Sequence, residues 1–227
     1  MKKQLMTITA AALVAFGAIS CNKATQQENT SSVEVAETKT EKQVFTFDKA
    51  NTSVLWTAFK FTEKAGVGGK FDEFEVTPKV TSAESPMAIM NALTFSIPVS
   101  SVNSSNPDRD GKLREHFFGK MANTEAITGT IKAVEGDDKA GTATVTVKLN
   151  DVEKDLSMKY TVSEKEDDAP GTIRLTGTID VAEFGATPAL EALNGVCEDL
   201  HKGSDGKSVL WPTVDVVVKS VLSTTAL

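Results

Sequence analysis

From Val44 onward the chain alternates apolar and polar residues in short runs. Such two-residue periodicity places successive side chains on opposite faces of a strand. Val44–Phe47 opens the series, and Ser53–Phe61 follows with Val54, Trp56 and Ala58 on one face and Leu55, Thr57 and Phe59 on the other. Gly66, Gly68 and Gly69 read as a turn or bulge before a strand at Lys70–Val76. Further runs lie at Leu93–Val99, Glu125–Val134, Thr142–Leu149, Val152–Val162, Thr172–Val181 and Leu210–Leu222. Turns fall at Glu135–Asp138 and Asn150-Asp151. Three short helices are expected where a capping residue precedes a proline, at Ser85-Pro86, Asn106-Pro107 and Thr187-Pro188. No strand-helix-strand rhythm appears. The pattern predicts an all-β fold with short helical insertions, a closed antiparallel lipocalin-like β-barrel of about eight strands.

The first residues break this pattern. Met1-Lys2-Lys3-Gln4 precedes an apolar run from Leu5 to Ile19, too short to span a bilayer comfortably. It reads as a secretory signal over residues 1–20. Cys21 follows Ala18-Ile19-Ser20, the arrangement of a lipobox with Ala18 in the usual leucine position. Lipidation of Cys21 is expected; an ordinary cleavage leaving a free thiol is the alternative. Residues 21–42 are rich in Thr, Ser, Glu and Gln and cannot bury enough surface to order themselves. As a flexible tether they span roughly 25 Å. The expected organisation is thus a signal at 1–20, a lipidated tether at 21–42 and one domain at 43–227. The expected location is the periplasm, at the outer membrane.

Composition removes several functions. The 227 residues carry 24 Lys+Arg against 31 Asp+Glu, a net charge of −7, which opposes phosphate-backbone binding, so no nucleic-acid partner is expected. Two Cys and two His cannot build a disulfide framework or a four-thiolate zinc site, and no metal is expected. No Gly-x-Ser-x-Gly elbow is present, and Gly66–Lys70 lacks the spacing of a phosphate loop. His116 and His201 have carboxylates nearby in sequence but no ligand spacing, and Cys197 reads as a small buried residue. No catalytic residue is assigned.

One segment resembles a known family. Asn103–Phe118 carries Asn106, Arg109-Asp110, Leu113 and Phe117-Phe118, the most recognisable stretch of the YceI-like domains. Asp48, Asn51-Thr52, Val54 and Trp56 resemble the family's opening strand, Gly69-Lys70-Phe71 the strand after the first turn, and Leu149–Lys154 a later turn. The family has His-Ser where this chain has Asn51-Thr52, and often a second His where it has Lys60. The resemblance covers residues 44–222. It implies a barrel that binds a polyisoprenoid, an isoprenoid quinone or a fatty-acid derivative in the cell envelope, without catalysis and with no cofactor besides that ligand.

On that reading the apolar pocket is lined by Val54, Trp56, Ala58, Phe71, Phe95, Ile97, Phe117, Phe118, Met121 and Phe184. Met87, Met90, Ile127, Val145, Val147 and Ile179 have the same character. The same residues equally describe a solid core. Lys60 continues the Val54-Trp56-Ala58 face, so it either meets a ligand head group or twists to solvent. Arg109 is the second candidate for that contact, with a local structural pairing as its alternative. A filled structural module and a lipid- or glycan-acting enzyme are the competing functions.

Overall fold

The structure, a computed structural model, describes residues 43–123, 125–163 and 171–227. The expected signal, Cys21 and tether lie outside the described residues. The strands are β1 Gln43–Thr46, β2 Thr52–Lys60, β3 Ala65–Phe71, β4 Glu75–Thr77, β5 Ser82–Ala83, β6 Thr94–Pro98 and β7 Val102–Asn103. They continue with β8 Ala126–Gly136, β9 Ala140–Leu149, β10 Val152–Ser163, β11 Thr172–Asp180, β12 Leu210–Val221 and β13 Ser223–Ala226. Ten of them form one antiparallel sheet in the order β4-β6-β8-β9-β10-β11-β12-β2-β3-β7, and β13-β1-β5 form a second, small one.

The long sheet curls into a half-barrel, not the closed eight-stranded barrel expected. Its edge strands β4 and β7 share no ladder. The cause is local. After Phe71 the chain leaves β3, turns through Asp72 and Glu73, and resumes as β4 at the opposite edge, so the expected single strand over Lys70–Val76 is split. Asp72 N–H donates to the Ser101 carbonyl (3.0 Å) and Ser101 Oγ donates to the Glu73 carbonyl (3.0 Å). Isolated bonds of this kind tie down a seam but do not continue the sheet across it.

The glycines of β3 are a second difference. Gly66, Gly68 and Gly69 lie within the strand, not in a turn or bulge. Gly69 is the direct cross-strand partner of Trp56, and a Cβ there would stand 2.2 Å from the indole Cζ2. The same device recurs on the concave face. Phe95 faces Gly129, Tyr160 faces Gly141, and Met158 lies against Gly177, whose added Cβ would come within 2.9 Å of it. Large side chains lie over bare backbone, so large and small residues alternate across the strands and interdigitate.

Turns and helices follow the sequence more closely. Asn150 and Asp151, at φ +53° and +59°, form the two-residue turn between β9 and β10, where both central residues need positive φ. Helix α1 (Pro86–Met90) is capped by Ser85 Oγ, which accepts from Met87 N–H. Helix α2 (Pro107–Lys112) is capped by Asn106 Oδ1, which accepts from Arg109 N–H, and runs into a π-helical turn at Leu113–Phe117. Helix α3 spans Thr187–Val196; Thr187 is its first helical residue rather than its cap, and Ala186 before it supplies no side-chain bond.

Candidate functional site

The concave face of the sheet encloses two adjoining apolar chambers. The first, of about 160 Å³, is walled by Val54, Phe71, Phe95, Ile97, Val145 and Val147 together with Ile89, Met90 and Leu93 from the α1 region. The second, of about 120 Å³, is walled by Ala58, Phe117 and Phe118, by Leu190 and Leu193 of α3, and by Leu210, Trp211 and Val214. Trp56, Phe71, Ile127, Ile179 and Val216 line both, so five side chains from five strands form a shared waist. An engineered dry cavity of about 150 Å³ holds one benzene. Each chamber is therefore suited to about six carbons.

Local structure sets this geometry. Trp56 is buried, lies over Gly69, and donates its indole N–H to the Lys70 carbonyl (3.2 Å). The ring is thus fixed at the waist. Phe117 and Phe118 meet edge to face, with centroids 5.0 Å apart and planes at 67°. The turn of π-helix immediately before Phe118 puts these two consecutive rings against the second chamber.

The expected wall residues divide between the two chambers and the surrounding core. Val54, Phe95 and Ile97 line the first, Ala58, Phe117 and Phe118 the second, and Trp56 and Phe71 both. Met121 and Phe184 are buried in the core and line neither. The sequence reading missed Val214, Val216 and Val218 of β12 and Leu190 and Leu193 of α3. Their signal was present: the β12 valines alternate, and the two leucines are three residues apart on one helix face.

Arg109 also lies outside the chamber walls. Its Nε donates to Ser104 Oγ and its Nη2 to the Ser104 carbonyl, both at 2.7 Å. Buried Asp110 accepts from the Ser104 N–H (2.9 Å) and hydroxyl (2.5 Å). The Arg-Asp pair thus clamps the loop ahead of α2, where Ser105 has φ +61°. Lys60 lies at the end of β2, half-buried, with its ammonium 3.0 Å from the Leu200 carbonyl. His116 Nε2 is 3.7 Å from Glu115 Oε1, and Cys197 is a buried free thiol. Among the described residues no three His, Cys, Asp or Glu converge on a metal position, and no helix is long and apolar enough to cross a membrane.

Burial sets two titrations. Tyr160 is 1% exposed, and burial, then the Asp137 charge, raises its phenol above the usual range; the hydroxyl donates to the Asp137 carbonyl (2.6 Å). His201 is held below the usual histidine range by burial, then by the charges of Lys60 and Lys112.

The chain's fold has solved counterparts. It is similar to a polyisoprenoid binding domain from Saccharophagus degradans implicated in plant cell wall breakdown, with TM-score 0.56 and 16% identity over 82% of this chain and 99% of that one. It is similar to Burkholderia cenocepacia BcnA, with TM-score 0.54 and 13% identity over 79% and 99%. It is also similar to the Campylobacter jejuni YceI protein, with TM-score 0.50 and 21% identity over 74% and 90%. No protein of curated function matches the chain. The model of the YceI-like domain matches residues 45–219, which takes in all of the curled sheet but Ser220 and Val221 at the end of β12, all of the second chamber's walls and the Arg-Asp clamp, and the chain belongs to that family.

Proposed function

We propose that this protein binds an apolar chain, a polyisoprenoid or a fatty-acid derivative, in the two chambers, and that it sequesters or carries that chain without transforming it. The carrying observation is the pair of adjoining voids with one shared waist and almost wholly apolar walls. The Saccharophagus degradans domain of similar fold is itself described as polyisoprenoid binding, which supports the same ligand class. Each methylene removed from water contributes about 0.8 kcal/mol. A chain of some twelve carbons filling both chambers gains several kcal/mol after its ordering cost. Apolar walls grip by shape and area, so affinity rises with chain length until the voids are full.

The N-terminal pattern extends the proposal. Export under residues 1–20 and acylation at Cys21 would hold the domain at the periplasmic face of a membrane, close to a supply of such chains. Stable anchoring needs more than one acyl chain.

The test is purification from the native host in a gentle detergent, organic extraction of the folded fraction and mass spectrometry. One apolar chain per protein is expected. An extract no different from buffer, with both chambers empty, would overturn the reading. Detergent-phase partitioning of wild type and Cys21→Ala tests the anchor: only the wild type should enter the detergent phase.

A further inference from the structure

One wall of the first chamber is not sheet. Its side chains come from strands except for Phe47, Phe74, Ile89, Met90 and Leu93. Strands part only by breaking a ladder, several backbone bonds at once. Ile89 and Met90 belong to α1, a helix of five residues, and are 1% and 4% exposed. A single helical turn is not stable by itself in water and holds its shape only while packed. These two side chains pack α1, and its backbone bonds stay local. Ala88 N–H donates to the Ser85 carbonyl (3.2 Å), Asn91 N–H to the Met87 carbonyl (3.0 Å) and Leu93 N–H to the Met90 carbonyl (3.2 Å).

Both ends of this segment are fixed. Ser82 and Ala83 of β5 pair with β1, while Ala92 N–H donates to the Ile131 carbonyl and Ile131 N–H to the Leu93 carbonyl, both at 2.9 Å. Ala92 has φ +58°, a conformation that a residue with a side chain keeps only where its surroundings impose it. Between these ends, among the described residues, one hydrogen bond ties Ser85–Asn91 to a distant part of the chain: the Ser85 hydroxyl donates to Asp138 Oδ1. Asp138 stands in the turn between β8 and β9, which Asp137 Oδ1 stiffens by accepting from Lys139 N–H (2.8 Å) and Ala140 N–H (2.9 Å). The helical wall of the second chamber is held more fully. α3 has ten residues, and its Asn194 Oδ1 lies 2.8 Å from His201 Nδ1 and accepts from Ser208 Oγ (3.1 Å).

We propose that α1 is a flap over the first chamber, with the Ser85–Asp138 bond as its latch and Ala92 as its hinge, and that the apolar ligand enters and leaves where Ile89 and Met90 now lie. This rests on the proposed function and adds the route into that site. Breaking the latch frees a single turn, which lifts from the chamber without disturbing a ladder. The empty and the filled protein close on the same latch. The latch therefore sets the rate of exchange and leaves the affinity unchanged.

The test follows tryptophan emission in a stopped-flow instrument, since Trp56 lines both chambers. Association is read on mixing with dodecanol, and dissociation on mixing the loaded protein with excess phosphatidylcholine vesicles. Asp138→Ala should speed both by about tenfold, the worth of one bond to a charged group, with Kd unchanged. Asp138→Asn, which keeps an acceptor, should speed them less. Ser208→Ala, which loosens α3 at the second chamber, should leave both rates as in wild type. Without ligand, the Asn91 amide, bonded within α1, should exchange its hydrogen faster in Asp138→Ala than in wild type by a similar factor. Wild-type rates or wild-type Asn91 exchange in Asp138→Ala would overturn the proposal, as would equal acceleration by Ser208→Ala. Failure of wild type to bind dodecanol would overturn the chamber reading itself, and this proposal with it.

Discussion

Replacing Gly69 by alanine tests how the waist is built. The added Cβ would lie 2.2 Å from Trp56 Cζ2, 2.5 Å from Cε2 and 2.8 Å from the Asn103 carbonyl oxygen. The oxygen belongs to backbone paired in the β3–β7 ladder, so the indole must give way. Overpacking of this kind costs about 1–3 kcal/mol. Loss of the indole bond to Lys70 adds about 0.5–1.5 kcal/mol. Alanine in a strand recovers about 0.5–1 kcal/mol of backbone entropy relative to glycine. The net loss is about 0.5–4 kcal/mol, a fall in Tm of roughly 1–16 °C for a domain of this size. The displaced ring also intrudes on both chambers, so the affinity for an alkyl chain should fall. Thermal unfolding by circular dichroism, with Trp56 emission followed in a Trp211→Phe background, reads both effects. Gly111→Ala is the control: nothing lies within 4 Å of its added Cβ, and Tm should hold or rise slightly. An unchanged Tm and unchanged Trp56 emission in Gly69→Ala would refute the account of the waist.

Three further outcomes are expected. The chain's single tyrosine, Tyr160, should ionise above the usual phenol range by ultraviolet absorbance, and the stability this shift contributes is lost as pH rises from about 10 through the raised value. Tyr160→Phe should lose about 1 kcal/mol in urea melts at neutral pH and lack that alkaline loss. Asp110→Ala, by stranding the buried Ser104 N–H, should cost about 1–3 kcal/mol in the same melts, while Asp110→Asn, which keeps an acceptor, should cost less. His201 should titrate below about 6.5 by NMR; because the unfolded chain takes up the proton first, folding stability falls as pH drops through 6.5, and His201→Gln should flatten that slope.

The strand faces were legible where one face of the sheet is dry. Val54 and Trp56 are buried and Leu55 is exposed, as the alternation requires. The turn at Asn150-Asp151 and the caps at Ser85 and Asn106 were legible because their chemistry is local. The glycines of β3 were misread because a strand glycine and a turn glycine look alike until the partner strand is known. Gly69 is bare for the sake of Trp56, thirteen residues earlier in the chain. Closure was misread for a similar reason. Alternation says which face is inside, but whether two edges meet depends on tilt and register across the whole sheet. The chambers were half legible: β2 declared its inner face, whereas α3 reaches the second chamber only through tertiary packing. The sequence could not separate a wall residue from a core residue, and Met121 and Phe184 fell on the core side.

The central claim is that the curled sheet holds an apolar chain in two joined voids. Crystals grown with 12-bromododecanol and measured at the bromine absorption edge test it directly. The account predicts a bromine peak enclosed by the sheet, in one chamber or at the waist of Trp56, Phe71, Ile127, Ile179 and Val216. Bromine found only on the outer surface at saturating ligand, with both chambers empty, would contradict it.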